Sequence, residues 1–465
     1  MKKRELRNLG LSDPDQFQAA FDAISTASRA GIDKQSIRRQ LQQVAAEPEE
    51  HLDDPFFAPL AARLIENPVA PDQTHTPRSE PARWTRFGRD LDANSVEQMA
   101  NACKLPVAVA GALMPDAHLG YGLPIGGVLA CDNAVIPYAV GVDIACRMKM
   151  TVLDLPTTAL DGQTDRLARA IERETAFGVG AEFKKPRSHP VMDEDWSFSP
   201  VTERMKHKAR SQLGSSGSGN HFVEFGLLSV DDASVGLARG EYLALLSHSG
   251  SRGPGNEVAK HYSKLASQQR SEMPKELSHL AWLDMDSDAG REYWQAMQLM
   301  GRFASANHEL IHHHIARHLG AEVLLDIENH HNFAWIETHD GRDVVVHRKG
   351  ATPAGRGTLG IIPGSMASPG FVVRGKGNAA SLQSASHGAG RVMSRRQARK
   401  NCTWSAARKL LAERNVELLS AGLDEVPMVY KDIHEVMAAQ KDLVQVLARF
   451  DPRLVKMAPG GPAED

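Results

Sequence analysis

A chain of 465 residues, 42% hydrophobic and 24% charged, carries enough apolar material for one large domain or two to three ordinary ones. Its net charge of -3 excludes a global attraction to nucleic acid, so any contact with RNA or DNA has to come from a local basic patch. The four cysteines, Cys103, Cys131, Cys146 and Cys402, form no CxxC pair and are too sparse for a disulfide framework, which predicts a reducing, cytoplasmic setting. The longest apolar run, Leu105 to Met114, is roughly half a membrane span. The opening Met-Lys-Lys-Arg-Glu leads into mixed polar sequence, with no signal-peptide core.

Residues 14 to 66 read as helical, because Phe17, Phe21, Ile24 and Ala27 recur at helical spacing, as do Ile37, Leu41 and Val44. Asp13-Pro14 suits an N-cap and first-turn proline. Pro68, Pro71, Pro77 and Pro81 stand among polar residues and predict a linker over 68–83. From residue 84 to 465 the texture changes. Short apolar runs, such as Gly127-Val-Leu-Ala, Tyr242-Leu-Ala-Leu-Leu and Val344-Val-Val, alternate with glycine-rich loops and read as buried strands. Helical patterns fall at 157–176, 256–271, 289–318, 394–413 and 431–449. No repeat of fixed period occurs. The fold class is therefore α+β, with a helical N-terminal extension (1–67), the linker, and one large domain whose candidate residues scatter from 116 to 456.

Several histidines sit in glycine-rich or serine-rich turns. Asn220-His221 closes Gly214-Ser-Ser-Gly-Ser-Gly, His248 opens His-Ser-Gly-Ser-Arg-Gly, His331 precedes Asn332, and His387 opens His-Gly-Ala-Gly-Arg391. Such turns bend the backbone and present the imidazole to something close. Asp143 and Cys146 are spaced to share a metal or bind adjacent ones, and sulfur can bridge two ions. Alone, the pair is equally a buried cysteine with a turn-capping aspartate. With His221, His248 and His331 it becomes a sufficient ligand set for two ions. Zinc is the default for these ligand types, and manganese or iron fit if water and phosphate complete the shell. The Pro363-Gly-Ser-Met and His387-Gly-Ala-Gly turns offer backbone amides to phosphate, with His347-Arg-Lys-Gly350 adding charge nearby in sequence. An imidazole beside phosphates can act as a nucleophile.

A competing pattern is His308-Glu309-Leu-Ile-His312, which matches the HExxH zinc-hydrolase motif on a helix. Its extended form wants glycine at 315, where this chain has Ile315, so a polar helix face is the alternative. The basic run Arg391 to Lys400 directly follows the His387 turn and could lie along a polyanion.

Met114-Pro-Asp-Ala-His-Leu-Gly-Tyr-Gly, Gly141-Val-Asp-Ile-Ala-Cys, Gly219-Asn-His-Phe-Val-Glu224, His248-Ser-Gly-Ser-Arg-Gly, His331-Asn, His347-Arg-Lys-Gly-Ala-Thr, Pro363-Gly-Ser-Met, His387-Gly-Ala-Gly-Arg and Tyr430-Lys-Asp-Ile occur in one order. Over roughly residues 84 to 456 this order resembles the RtcB family of RNA ligases. The resemblance implies a catalytic domain with a deep metal- and nucleotide-binding cleft. It implies a GTP-dependent ligase with two manganese ions that joins RNA 3'-phosphate or 2',3'-cyclic phosphate ends to 5'-hydroxyl ends. Cys146 would bridge the ions, with His248 and His331 on one and Asp143 and His221 on the other. His387 would carry GMP. Asn220, His221, Phe222, Val223, Glu224, His331, Asn332, Pro363, Gly364, Ser365, Met366, Gly370, Gly388, Ala389, Gly390 and Lys456 would hold the nucleotide. Asp116, His118 and Arg252 would stand near the RNA ends. The expected partners are RNA and GTP, with no membrane.

Arg147 stands where the family usually has glycine, so it would contact phosphate or alter the loop. Gly370 stands where many relatives have serine, which removes a side-chain contact. The chain continues past Lys456. The alternatives are a relative acting on another phosphate end or cap, a zinc hydrolase using His308, Glu309 and His312, and a non-catalytic RNA-binding relative.

Overall fold

The computed structural model describes residues 6, 9 and 11, residues 14–66 and residues 77–460. The chain divides into two compact units, residues 1–77 and 78–465. The proposed Asp13 cap and residues 68–76 of the proline-rich segment lie outside the described residues. The last part of that segment is bonded into the larger unit, where the Arg78 and Ala82 amides donate to the carbonyls of Lys104 and Cys103.

Among its described residues the smaller unit holds the α-helices Pro14–Arg29, Lys34–Ala46 and Ala58–Glu66. Asp33 caps the second by accepting from the amides of Gln35 and Ser36. Phe17, Ala20, Ile37, Leu41, Val44, Phe57 and Leu60 close a separate core. Phe21 and Ile24 are only half-buried at its edge.

The larger unit mixes helices with mainly antiparallel sheet. Its strands are β1 Trp84–Arg86, β2 Ala108–His118, β3 Ile125–Cys131, β4 Ala134–Val135, β5 Arg147–Leu153, β6 Phe222–Val230, β7 Gly240–Ser249, β8 Leu283–Asp284 and β9 Val323–His330. They continue as β10 Phe333–His339, β11 Arg342–Lys349, β12 Ala351–Pro353, β13 Leu359–Ile362, β14 Gly370–Gly375, β15 Ser384–Ser386, β16 Glu417–Ser420 and β17 Val444–Met457. A five-stranded sheet runs β1-β2-β3-β11-β10. An eight-stranded sheet runs β13-β14-β17-β6-β7-β5-β9, with β16 added beside β17.

The large sheet separates two environments, because side chains alternate between its faces. On one face Val223, Phe225, Leu243 and Leu245 pack against Ile311 and Ile315 of the long helix Asp288–Leu319. On the other, Met148, Met150, Leu246, Ile361 and Phe450 form a second core. None of the helices among the described residues is long and apolar enough to cross a membrane.

Two expected helices are corrected. Residues 431–449 form only the short helix Ile433–Ala439, and Val444 onward is the 14-residue strand β17. Val444, Leu447, Ala448 and Phe450 are buried in the cores that β17 joins, and its pairing with β14 and β6 outweighs local helical spacing. Residues 394–413 are two helices, Arg395–Asn401 and Trp404–Glu413. Cys402 is extended between them, and the Thr403 hydroxyl restarts the helix by accepting from the Ala406 amide.

Phe450 is fully buried where β17 crosses to the second core. Phe450→Ala should lower unfolding stability by about 3–5 kcal/mol, read as a shift of the denaturant midpoint.

Candidate functional site

Four neighbouring strands of the large sheet deliver their chemistry to one end. In the order β6-β7-β5-β9, His221 immediately precedes β6 and His248 lies near the end of β7. Cys146 immediately precedes β5, and His331 immediately follows β9. The pairing is antiparallel, so these starts and ends coincide in space, as the partners Phe222↔His248 and Met148↔His248 show.

The donor atoms converge. Cys146 Sγ lies 3.0 Å from His248 Nε2 and 3.4 Å from His221 Nε2. His248 Nε2 is 3.1 Å from His331 Nε2, and His221 Nε2 is 3.0 Å from Asp143 Oδ2. Two subsets thus share one sulfur, with His248 and His331 on one side and Asp143 and His221 on the other. His221 Nδ1 lies 3.0 Å from the Ser216 carbonyl, and His248 Nδ1 lies 3.0 Å from the Asn220 carbonyl. A carbonyl only accepts, so both Nδ1 atoms carry the proton and the Nε2 lone pairs face the sulfur. Burial holds His248 neutral, its pKa pushed down to about 3, and drives His331 well below the usual imidazole value. Buried lone pairs aimed at one another repel unless a cation lies among them. Ligating histidines that donate their other N–H to carbonyls are the usual companions of a metal. Cys146, His221 and His248 form a buried group able to hold a metal ion.

The loops carry strain to achieve this. Ala145, between Asp143 and Cys146, has φ 57°, and Asn332 has φ 58°. They are tied together, since the Ala145 amide donates to the Asn332 carbonyl at 2.8 Å and the His331 amide to the Cys146 carbonyl at 2.9 Å. A Cβ on Gly250 would stand 2.0 Å from the Asp143 carboxylate, so only glycine lets the β7 turn pass there.

His387 enters from the turn after β15. Its Nδ1 lies 2.7 Å from Asp116 Oδ2, and its backbone amide donates to the same oxygen at 3.1 Å. A carboxylate fully buried beneath an imidazole holds Nδ1–H as the donor and leaves Nε2 as a nucleophile or base. Gly390 has φ 75°, and a Cβ there would lie 2.1 Å from the Asp116 carbonyl, so the turn can close on Asp116 only with glycine. The His387 ring is 4.8 Å from that of His331, centroid to centroid, which places it beside the donor cluster.

One cavity joins these groups. It is lined by Asp143, Cys146, His248, His331 and His387, and by His118, Asn220, Phe222, Glu224 and Asn332. Pro363, Gly364, Ser365, Met366, Gly370, Gly388, Ala389 and Gly390 complete that part of the wall. A Cβ on Gly370 would sit 3.4 Å from the nearest atom, so a serine would fit there, and its absence is a missing contact rather than a steric demand. His118 is kept neutral by burial, its pKa pushed down to about 4.

Other expected positions fall elsewhere. Val223 and Lys456 pair across β6 and β17 on the face turned away from the cavity. Val223 packs in the core under the long helix, and Lys456 Nζ lies 5.6 Å above the Phe177 ring. The alternation that puts Phe222, Glu224, Val455 and Met457 in the wall turns these two side chains out of it. Arg252 is buried behind His221, donating to Ser215 Oγ at 3.1 Å and to the Gly178 carbonyl at 3.0 Å. Arg147 does not face the cavity. It pairs with Glu328 and donates to the Gly301 carbonyl on the long helix. The charge expected from 347–350 is also turned inward. Arg348 pairs with Glu337 at 2.6 Å, and Lys349 donates to the carbonyls of Tyr121 and Tyr138.

The HExxH segment lies across the sheet from the donor cluster. His308 Nδ1 and His312 Nε2 both meet Ser247 Oγ at 2.7 Å, while His308 Nε2 meets the Ser249 carbonyl and His312 Nδ1 meets Thr151 Oγ1. Every ring nitrogen is used. Glu309 is exposed on another side of the helix and contacts His189 at 3.1 Å. This is a structural hydrogen-bond network, not a metal centre.

Sequence reading alone missed Arg395, Glu425 and Tyr430 as cavity-wall residues. Glu425 Oε2 accepts from Arg391 at 2.9 Å and from the Tyr430 hydroxyl, and its other oxygen accepts from Arg395. Asp424 accepts from Arg399 at 2.9 Å. The basic run is therefore clamped by two buried carboxylates. The only signal was an acidic pair just before the Tyr430 motif.

A buried sulfur–imidazole group able to hold a metal ion thus stands beside a histidine oriented by a carboxylate. Residues 98–457 match the family described as tRNA-splicing ligase RtcB, and the chain belongs to that family. The RNA-splicing ligase RtcB of Escherichia coli is 34% identical over 395 residues, covering 78% of this chain and 94% of that protein. The protein of the same name from Mycobacterium tuberculosis is 33% identical, covering 76% and 98%. The tRNA-splicing ligase RtcB of Nanoarchaeum equitans is 31% identical, covering 76% and 90%.

Elemental analysis should find metal in wild type and in folded His312→Ala. The variant should lose about 1–3 kcal/mol of stability, because the hydroxyls of Thr151 and Ser247 each lose one of two buried hydrogen-bond partners. Cys146→Ala should lose metal or retain it weakly.

Burial raises the Glu224 pKa well above the usual carboxyl value. The native state therefore holds its proton after the unfolded chain has released one. Stability from this group is fully present below the ordinary value and is lost as pH rises toward the raised one. Glu224→Gln should flatten that decline and raise the melting temperature at neutral pH, as a pH series of thermal melts would show.

Proposed function

We propose that this protein is a GTP-dependent RNA ligase that joins a 3'-phosphate or 2',3'-cyclic phosphate end to a 5'-hydroxyl end, with His387 as guanylate carrier. The observation that carries this reading is the buried Asp116–His387 pair opening into the same cavity as the shared-sulfur cluster. The names of the relatives support RNA as substrate.

Cys146, His248, His331, Asp143 and His221 would together hold two manganese ions. When bound, the ions would offset phosphate charge and orient the departing pyrophosphate. The remaining work belongs to the chain. Asp116 accepts from Nδ1–H and keeps the Nε2 lone pair available, so no proton has to leave before attack. A bond from Nε2 to the α-phosphorus of GTP forms as the bond to pyrophosphate breaks. Asp116 then faces the more acidic Nδ1–H of the substituted ring and stabilises its positive charge.

An oxygen of the RNA 3'-phosphate next attacks the guanylate phosphorus, the P–N bond breaks, and His387 returns neutral. A cyclic end first takes up water to give the monoester. The RNA 5'-hydroxyl then attacks the activated 3'-phosphate, its proton goes to solvent or a cavity base, and GMP leaves. Glycines 388 and 390, with the 363–366 turn, bring backbone amides to the phosphates. Asn220, Phe222, Glu224 and Asn332 would surround the rest of the nucleotide. Arg252 serves by holding the loop behind His221.

His387→Ala should bind GTP yet form no protein–guanylate adduct, and it should still seal RNA supplied with a guanylate cap. Peptide mass spectrometry of wild type should place acid-labile guanylate on the peptide containing His387. Guanylate on a lysine would overturn the mechanism. Asp116→Asn should slow adduct formation by at least about 100-fold, the scale of one lost electrostatic partner in a preorganised site.

A further inference from the structure

The loop 119–124 joins β2 to β3, and the residues at its two ends, His118 and Ile125, both line the cavity. Two large apolar side chains project from it into solvent: Leu119 is 57% exposed and Tyr121 is 70% exposed. Arg391 reaches the start of this loop, its amide 3.5 Å from His118 Nδ1. Exposed apolar groups gathered at a polar cavity mark a binding surface more than packing.

The loop backbone is held on both sides of the tyrosine. Gly120 exchanges two hydrogen bonds with the Gln98 amide, at 2.7 and 3.1 Å. The Tyr121 carbonyl accepts from the buried Lys349 ammonium at 2.5 Å. Among the described residues the ring makes an edge contact with His279, 6.2 Å between centroids. The backbone is thus fixed while a ring face is left to solvent. Arg391 and Arg395 line the adjoining wall, and Arg396 and Lys400 are exposed on the helix that follows.

We infer that Tyr121, with Leu119 of the same loop, is a stacking platform for an unpaired nucleotide of the RNA strand entering the cavity. This rests on the ligase reading above. A ring face beside cations suits a polymer that alternates flat bases with phosphates, and an apolar protein segment would gain nothing from the adjoining arginines. A base inside a duplex has both faces occupied by its neighbours, so the surface selects unpaired ends.

The test uses the full chain and a short RNA ending in a 3'-phosphate, with 2-aminopurine as its terminal base. The strand is offered single or as a blunt duplex. Wild type should bind the single strand with quenched fluorescence. Tyr121→Ala should bind it about tenfold more weakly, the scale of one lost base–aromatic stack, and lose the quench. Tyr121→Phe should restore both, which separates stacking from disturbance of the loop. Duplex binding should be the same for all three.

Equal binding by wild type and Tyr121→Ala would overturn the inference. Equal loss in Tyr121→Ala and Tyr121→Phe would overturn it too, because the ring would not be the cause. Wild type that binds with the quench but joins no ends would keep the platform and overturn the ligase reading. Wild type that binds no RNA would overturn both, and leave a protein as the occupant of this surface.

Discussion

The period-two alternation of the large sheet is the constraint on which the rest of the site depends. Along β7, Leu246 and His248 point to the cavity, while the Ser247 hydroxyl points to the long helix. Along β5, Arg147, Lys149 and Thr151 face the helix side, where they meet Glu328, Asp326 and His312. The same backbone register therefore sorts a histidine-rich chain into two populations. One set keeps lone pairs aimed at a sulfur. The other spends every ring nitrogen on hydroxyls and a carbonyl. A one-residue slip of β7 would turn His248 toward the long helix and Ser247 toward the cavity.

Gathering buried donors in one place works against folding, and the surrounding structure shows how that cost is carried. Left-handed conformations at Ala145, Arg252 and Asn332 cluster around the cavity, and each is over-determined by hydrogen bonds or by buried contacts. The polar ladder beneath the sheet, from Arg147 and Glu328 to Thr151 and His312, locks β5 and β9 against the long helix. The donors are thus positioned by a frame that holds its shape through interactions on the opposite face.

The arginines of the cavity wall follow similar logic. Arg391 and Arg395 of the wall, and Arg399 one turn further along the helix, face two buried carboxylates, Asp424 and Glu425. Three cations against two anions leave a net positive charge that is held in place rather than free to collapse onto any anion. Guanidinium forks fixed this way keep their orientation without a ligand, which lowers the ordering cost when a phosphate arrives.

The sequence by itself determined the α+β mixture, the central strands and the identity of the glycine-turn histidines with Asp143 and Cys146, because those signals are local: alternation, turn chemistry and ordered motifs. It also pointed at the family through Met114–Gly122 and the other ordered stretches. Only the tertiary structure decided which of the many polar residues face the cavity. His308 and His312 have a metal-site spacing but sit across a sheet, and Lys456 and Val223 are one residue out of phase with the wall. Arg147 and Arg348 are paired inward. Asp116 became the partner of His387 across 271 residues of chain. The strand at 444–457 shows the same limit, since pairing with β6 and β14 overrides a local helical pattern. Facing and pairing are set by register between segments far apart in the chain, and no local pattern encodes that register alone.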